Sequence, residues 1–249
     1  MEVFQDYAYY YNAFYCDKDY KSEARTVAKL IKRNTNTEIK YVLNIGCGTG
    51  KHDIELKKLG YEISGIDLSN SMIEIAKKNN PDVSYEVGDA RCYHSEKIYD
   101  AVVSLFHVMS YHNTNEDIEN ACKTAHSCLK TNGIFVFDVW FEAGVLSEKP
   151  EVRIKKVEDD NNILMRYASP VMHADTNIVD VNYDVLIINK KTNEVKELSE
   201  THHMRYFSKP ELKYILEKCG FELLECCDSK TLENVSYESW NAYFVAKKI

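Results

Sequence analysis

No apolar run in this 249-residue chain reaches the length needed to cross a bilayer, and its start lacks the charged-then-apolar order of a secretory signal. An excess of basic charge is also missing. Lys and Arg number 31 against 39 Asp and Glu, a net charge of −8, which argues against a nucleic-acid backbone as partner. None of the eight cysteines (Cys16, Cys47, Cys92, Cys122, Cys128, Cys219, Cys226 and Cys227) falls in a C-x-x-C pair, so neither a zinc site nor a dithiol motif is expected. Without an export signal they read as reduced thiols of a cytoplasmic protein. The histidines and acids show no ligand spacing such as H-E-x-x-H, so no metal is expected. Repeats, low-complexity stretches and linkers are absent as well. What remains is a globular chain long enough for one α/β domain with an elaboration, or for two small domains.

What the chain does contain is a dense glycine turn. The apolar run Val42-Leu43-Asn44-Ile45 stops at Gly46-Cys47-Gly48-Thr49-Gly50, and a helical pattern starts just after, which is the order strand, tight turn, helix. Seventeen residues past Gly50, the run Ile63-Ser64-Gly65-Ile66 ends in Asp67. A carboxylate at the tip of a second strand suits a vicinal ribose diol, since it accepts hydrogen bonds from both hydroxyls. A dinucleotide-binding turn would need its third glycine at position 51, where this chain has Lys51. The remaining readings are a nucleoside site of another kind or a turn without ligand. The Gly46, Gly48, Gly50 pattern resembles motif I of the class I S-adenosylmethionine (SAM) methyltransferases, whose glycines make room for the amino-acid part of SAM.

In chain order, Tyr7, Tyr9, Tyr10, Tyr11, Phe14, Tyr15 and Tyr20 crowd the first twenty residues. Such an arm either packs its rings onto the domain or roofs a polar pocket with its hydroxyls. Helical patterns follow from Asp19 to about Arg33, from Lys51 to Leu59 with Gly60 as its stop, and from Leu68 to Lys78 with Ser69 as N-cap. Val83 to Val87 reads as a strand leading into Gly88-Asp89-Ala90-Arg91, and Tyr99 to Leu105 as a buried strand leading into Phe106-His107. A helix from Thr114 to Leu129, closed by Asn132-Gly133, precedes a fifth strand, Ile134 to Val139. Strands alternating with helices through residue 139 predict a doubly wound parallel sheet with ligands at its carboxyl ends, where Asp67, Asp89, His107 and Asp138 lie.

The pattern then changes. Val152–Val157, Ile163–Met172, Ile178–Ile188 and Val195–Tyr206 read as an antiparallel sheet over that carboxyl edge. In a regular strand, one of His202 and His203 faces inward and the other outward. Ser208-Lys209-Pro210-Glu211 opens a further helix as a capping box, stopped by Gly220, and Phe221–Cys226 with Ala242–Lys247 would be the final strand pair. The expected fold is therefore α/β: a doubly wound, Rossmann-like class I methyltransferase sheet with an inserted antiparallel β lid. The expected divisions are an arm and SAM-binding core over 1–150, the lid over 151–207, and a C-terminal helix and strand pair over 208–249.

A narrower resemblance is carried by Phe14-Tyr15, Lys18-Asp19-Tyr20, Glu23-Ala24, the glycine turn, Gly88-Asp89-Ala90-Arg91, Ala101-Val102-Val103-Ser104-Leu105-Phe106 and Trp140-Phe141. Over nearly the whole chain these stretches resemble the N-methyltransferases of nucleotide-linked amino sugars, the desosamine and mycaminose type. Departures from that pattern fall at Asp138-Val139 and at His107. The resemblance implies SAM as cofactor and S-adenosylhomocysteine as product, held by Tyr20, Asn44, Gly46, Cys47, Gly48, Gly50, Asp67, Leu68, Met72, Asp89, Ala90, Arg91 and Leu105. It also implies a small-molecule substrate, with Tyr15 as the first catalytic candidate. By position at the strand ends, on the arm and on the lid, Tyr11, Asp138, Trp140 and His202 are the substrate-binding candidates and His107 the second catalytic candidate, since imidazole can exchange a proton near neutral pH. A nucleotide-linked amino sugar is the first expectation. Another amine or hydroxyl acceptor, or a SAM-binding protein without catalysis, are the alternatives. Neither a nucleic-acid nor a membrane partner is expected, and a homodimer is left open. The Asn/Asp-Pro-Pro-Tyr/Phe signature of base methylation is missing, since Asp138-Val139-Trp140-Phe141 stands there instead.

Overall fold

The computed structural model describes residues 8–249, with side chains from Tyr10 onward. Tyr7 and the ring of Tyr9 lie outside the described residues. A short helix α1 (Ala8–Phe14) leads to α2 (Tyr20–Asn34), whose N-cap Asp19 accepts from the Ser22 N–H at 2.9 Å and whose buried stripe is Ala24, Val27, Leu30 and Ile31. The alternation that follows is β1 (Tyr41–Ile45), α3 (Lys51–Lys58), β2 (Glu62–Asp67), α4 (Asn70–Asn79), β3 (Ser84–Val87), β4 (Tyr99–Ser104), a 3-10 turn at Val108–Tyr111, α5 (Asn115–Cys128) and β5 (Leu129–Phe141). After α6 (Glu142–Ser147) come β6 (Arg153–Glu158), β7 (Asn162–His173), β8 (Ile178–Asn189) and β9 (Val195–Phe207), then α7 (Lys209–Lys218), β10 (Phe221–Asp228) and β11 (Asn241–Lys248).

Strands β3, β2, β1, β4 and β5 run parallel in that order; β11 pairs antiparallel with β5, and β10 pairs antiparallel with β11, so β11 alone is reversed among these seven strands. Crossover helices cover both faces. Ala24, Leu30, Leu56 and Ile73 pack on one side of the strands, while Ile118, Leu212 and Leu216 pack with Phe135 and Phe137 on the other. Strands β6 to β9 form an antiparallel layer by hairpin pairing, and β9 joins the main sheet through Trp140↔Tyr206 and Phe141↔Phe207. Among the described residues no helix is long and apolar enough to cross a membrane.

Two helices stand where no element was expected, and two local expectations are corrected. The aromatic arm contains a helix, α1. A second short helix, α6, follows Phe141. The fifth strand begins at Leu129, not Ile134, because Asn132 turns left-handed (φ 64°) inside the strand and a register shift between Tyr99 and Ala101 absorbs it. The capping box at Ser208 is half made: Ser208 accepts from the Glu211 N–H at 3.4 Å, but the Glu211 carboxylate turns to the buried Arg205 guanidinium at 2.6 Å. A charge buried on β9 outcompetes a backbone donor for that carboxylate.

Candidate active site

Gly46, Gly48 and Gly50 all take left-handed backbone angles (φ 74°, 54° and 72°), which curl the chain between β1 and α3 back under the tip of β2. Gly46 N–H and Cys47 N–H both donate to Ile66 C=O, at 2.8 and 2.9 Å. A side chain at Gly46 would collide with Val108, and one at Gly50 would meet the Tyr85 hydroxyl at 2.5 Å, so these two are demanded by packing. Gly48 differs, because nothing lies within 4 Å of where its Cβ would point. Its main chain is left open to a ligand.

Beside this opening, Asp67 Oδ2 accepts from Gly48 N–H and Oδ1 from Ser69 N–H, both at 2.9 Å. Burial pushes its carboxyl above the ordinary range, and the two backbone donors oppose that. Each carboxylate oxygen keeps a second lone pair for a ribose hydroxyl. The open cradle at Gly48 next to a diol-accepting acid fits the amino-acid and ribose parts of SAM. Under the turn lies a buried polar network. Asp53 accepts from Asn44 Nδ2 at 2.7 Å and from the Tyr85 hydroxyl at 2.9 Å, and Asn80 Nδ2 spans Tyr85 and Gly50 C=O, each at 3.0 Å. Burial raises the Asp53 carboxyl to about 6.

One cavity runs from the glycine turn to the antiparallel layer. Of the residues expected to hold cofactor, Tyr20, Gly46, Cys47, Gly48, Asp67, Met72 and Leu105 line it. Of those expected at substrate or chemistry, Tyr11, Tyr15, His107, Trp140 and His202 line it. Others stand apart. Asn44 and Gly50 support the turn from below, Leu68 is 59% exposed, and Ala90 lies outside the lining. Asp89 is clamped by Arg91 at 2.6 Å, and Arg91 also reaches Asp117 at 3.2 Å. The hydrogen bond from Arg91 holds the Asp89 carboxyl below its ordinary range. Asp138 sits one layer behind the cavity, 4% exposed, where it accepts from His107 N–H at 3.1 Å and lies 2.6 Å from His107 Nδ1. Phe106 and His107 are both left-handed (φ 66° and 65°), a strained pair of the kind that clusters at sites, and this geometry turns His107 toward the cavity.

The arm bridges the two halves of the site. Thr49 Oγ1 donates to Asn12 Oδ1 at 2.9 Å, and Phe14 is fully buried against Leu164, Val185 and Ile187 of the antiparallel layer. Tyr15 hydroxyl accepts from Arg166 Nη1 at 3.2 Å. Lys18 lies over the Phe106 ring and pairs with Glu23, which also meets His52 Nε2 at 2.6 Å. Burial alone would raise the Glu23 carboxyl, but His52 and Lys18 together draw it down to about 2. His202 is 2% exposed and faces the cavity, whereas His203 points outward to Asp180.

Sequence reasoning missed Thr49, Lys51, His52, Phe106, Val108, Tyr111, Val181, Tyr183 and Met204, which also line the cavity. Four of these positions had a usable signal. Val181 and Tyr183 on β8, and Met204 two residues beyond His202 on β9, share the inward face by strand alternation, and Phe106 follows directly on the fourth strand. Nothing in the pattern singled out Tyr111.

Residues 42–133 match the family described as "Methyltransferase domain". The dTDP-3-amino-3,4,6-trideoxy-alpha-D-glucopyranose N,N-dimethyltransferase of Streptomyces venezuelae is 27% identical over 220 residues, 88% of this chain and 91% of that protein. An uncharacterized methyltransferase of Oceanobacillus iheyensis is 30% identical over 146 residues, 57% of this chain and 68% of that protein. The crystal structure of Streptomyces venezuelae DesVI superposes with a TM-score of 0.84 at 25% identity, covering all of both chains. With the glycine turn, the acid at the tip of β2 and the parallel sheet order already in hand, the chain belongs to the class I SAM-dependent methyltransferases.

Proposed function

We propose that this methyltransferase acts on the amine of a nucleotide-linked amino sugar. The observation that carries the reading is convergence: Tyr15 from the arm, His107 and Trp140 from the core, and His202 from the antiparallel layer border the same cavity as Gly48 and Asp67. The similarity to an amino-sugar N,N-dimethyltransferase over 88% of this chain supports the same substrate class. SAM, when bound, supplies a methyl group already activated on its sulfonium. The chain's own residues then have three tasks, which are to align the acceptor nitrogen, to exclude water, and to take the proton that nitrogen gives up. Gly48, Asp67, Met72 and Leu105 suit the cofactor side, and Asp89 with Arg91 suits the adenine rim. Tyr11, Tyr15 and Trp140 suit the sugar, with His107 at the acceptor nitrogen. Lys51 at the cavity and Arg166 behind Tyr15 are cations suited to a diphosphate. Strands β6 to β9 act as a lid that closes with the arm over the ligands.

The test is calorimetry with S-adenosylhomocysteine, then with the dTDP-linked 3-amino-3,4,6-trideoxyglucose added, followed by an assay of methyl transfer. Binding of both and methylated product is the expected result. Binding of S-adenosylhomocysteine alone would remove the sugar and turn the search to other small amines and hydroxyl acceptors.

A further inference from the structure

Three polar groups make a line from the cavity to the protein surface. Tyr111 ends the 3-10 turn beyond β4, and its hydroxyl lies 2.7 Å from His202 Nδ1. The other ring nitrogen of His202 lies 3.3 Å from Glu200 Oε2, two residues back on the same face of β9, within ion-pair reach but not aligned as a hydrogen bond. Tyr111 and His202 line the cavity and Glu200 does not. The His202 side chain is 2% exposed, and that of Glu200 is 13%. The imidazole is faced on its remaining side by Tyr183 of β8, with ring centroids 4.8 Å apart, and the Arg166 guanidinium of β7 lies over Tyr183. Glu200 is thus the acidic, outward end of the line.

We propose that Tyr111, His202 and Glu200 form a proton relay that carries the proton released by the acceptor nitrogen out of the closed cavity. The inference rests on the N-methylation reading above. A protonated amine has no lone pair for attack, so one N–H bond must break before or as the C–N bond forms. That proton passes to the Tyr111 oxygen while the Tyr111 hydroxyl proton moves to His202 Nδ1. A turn of the Glu200 side chain aligns its carboxylate with His202 Nε2, and the Nε2 proton then moves to that carboxylate, which gives it to solvent. One proton is transferred in all, nothing is oxidised or reduced, and the nitrogen keeps its electron pair. His107 is the competing group for this proton: its imidazole is 18% exposed and its partner Asp138 lies buried behind the cavity, whereas the Tyr111 line ends on a carboxylate. Tyr111 is the catalytic residue of the three, and His202 and Glu200 act through it.

The relay requires the resting His202 tautomer with hydrogen on Nε2 and an open acceptor at Nδ1, which nitrogen-15 NMR of the ligand-free protein reads directly. Hydrogen on Nδ1 would point the line the wrong way and overturn the proposal. The second readout is methyl transfer to the dTDP-linked 3-amino-3,4,6-trideoxyglucose as a function of pH, in wild type, His202→Gln and the partly exposed Glu200→Gln. Without the relay the enzyme depends on amine that arrives already deprotonated. Turnover should then fall about tenfold for each pH unit below the amine's own pKa and recover above it, with KM for the sugar nucleotide little changed. A loss that is the same at every pH, or no loss in Glu200→Gln, would overturn the relay. If wild type binds S-adenosylhomocysteine but leaves this sugar unmethylated, the substrate reading falls and the tautomer alone decides the relay.

Discussion

Asp67 is held on both carboxylate oxygens by backbone N–H groups and also lines the cavity, so the side chain proposed to meet the ribose also braces the turn. Replacing Asp67 with Ala should lower S-adenosylhomocysteine affinity by roughly ten- to a hundredfold, the value of about 1.5–3 kcal/mol for hydrogen bonds to a charged acceptor. Calorimetry reads this directly, and an unchanged affinity would mean that the ribose lies elsewhere. Tyr15 tests the proposed substrate side apart from the cofactor side. Tyr15→Phe removes the acceptor of the Arg166 hydrogen bond and a hydroxyl at the proposed sugar side of the cavity, while leaving the glycine turn intact. Turnover or sugar affinity should fall about tenfold with S-adenosylhomocysteine affinity unchanged, and a wild-type enzyme in both respects would take Tyr15 out of the chemistry. Much at this scale was legible, because glycine spacing and a strand-end acid are local patterns. The Tyr111–His202 contact was not, since it joins residues 91 positions apart through a 3-10 turn that carries no periodic signal.

At the scale of elements, the glycine turn divides into two positions demanded by packing and one, Gly48, that faces open space. An alanine at Gly46 would force a left-handed angle and collide with Val108, so Gly46→Ala should cost about 2–4 kcal/mol of stability. Gly48→Ala meets empty space and should cost only about 1–2 kcal/mol from its backbone angle. Its new methyl enters the ligand cradle, however, so S-adenosylhomocysteine affinity should drop more than stability does. Thermal unfolding and calorimetry on the two variants check the contrast, and equal effects on both properties would erase it. Beneath the turn, Asp53 has its carboxyl raised by burial from 3.8 to about 6. The folded state therefore holds this proton more tightly than the unfolded chain. Its stabilising contribution is complete below about 4 and is lost as pH rises through about 6, on the order of 3 kcal/mol in all. Glu23 acts in a separate window. Its carboxyl is lowered from 4.5 to about 2, so its contribution is present above 4.5 and is lost as pH falls toward 2. Subtracting the pH–stability curve of Asp53→Asn from that of wild type should leave a slope between pH 4 and 6, and a flat difference would contradict the raised carboxyl. The element order was legible because apolar runs and caps recur at each boundary. The start of β5 was misread because Asn132-Gly133 looks like a helix stop, while the register shift against β4 depends on a partner strand 30 residues away.

At the scale of the whole molecule, the question is how tightly the antiparallel layer is joined to the parallel core. Only two residue pairs link β5 and β9 in register, Trp140↔Tyr206 and Phe141↔Phe207, so ladder hydrogen bonds alone would be a weak joint. Side chains strengthen it. Phe207 is fully buried in the core cluster with Phe141, Leu212 and Phe137, and Tyr206 packs with Val145 and Val179, which bridge core and layer. Phe14 fixes the arm to the far part of the layer. Burial of this kind, shared between both halves, makes separate melting unfavourable, because either half alone would expose aromatic surface to water. Trp140 and Trp240, with ring centroids 5.0 Å apart, sit at this junction and report on it by fluorescence. Unfolding followed by tryptophan fluorescence and by far-ultraviolet circular dichroism should therefore give one coincident transition. Phe207→Ala should shift that transition as a whole by about 3–5 kcal/mol of lost stability without splitting it. A fluorescence change that runs ahead of the dichroism change would show that the layer detaches first, and would make the lid an independently unfolding unit.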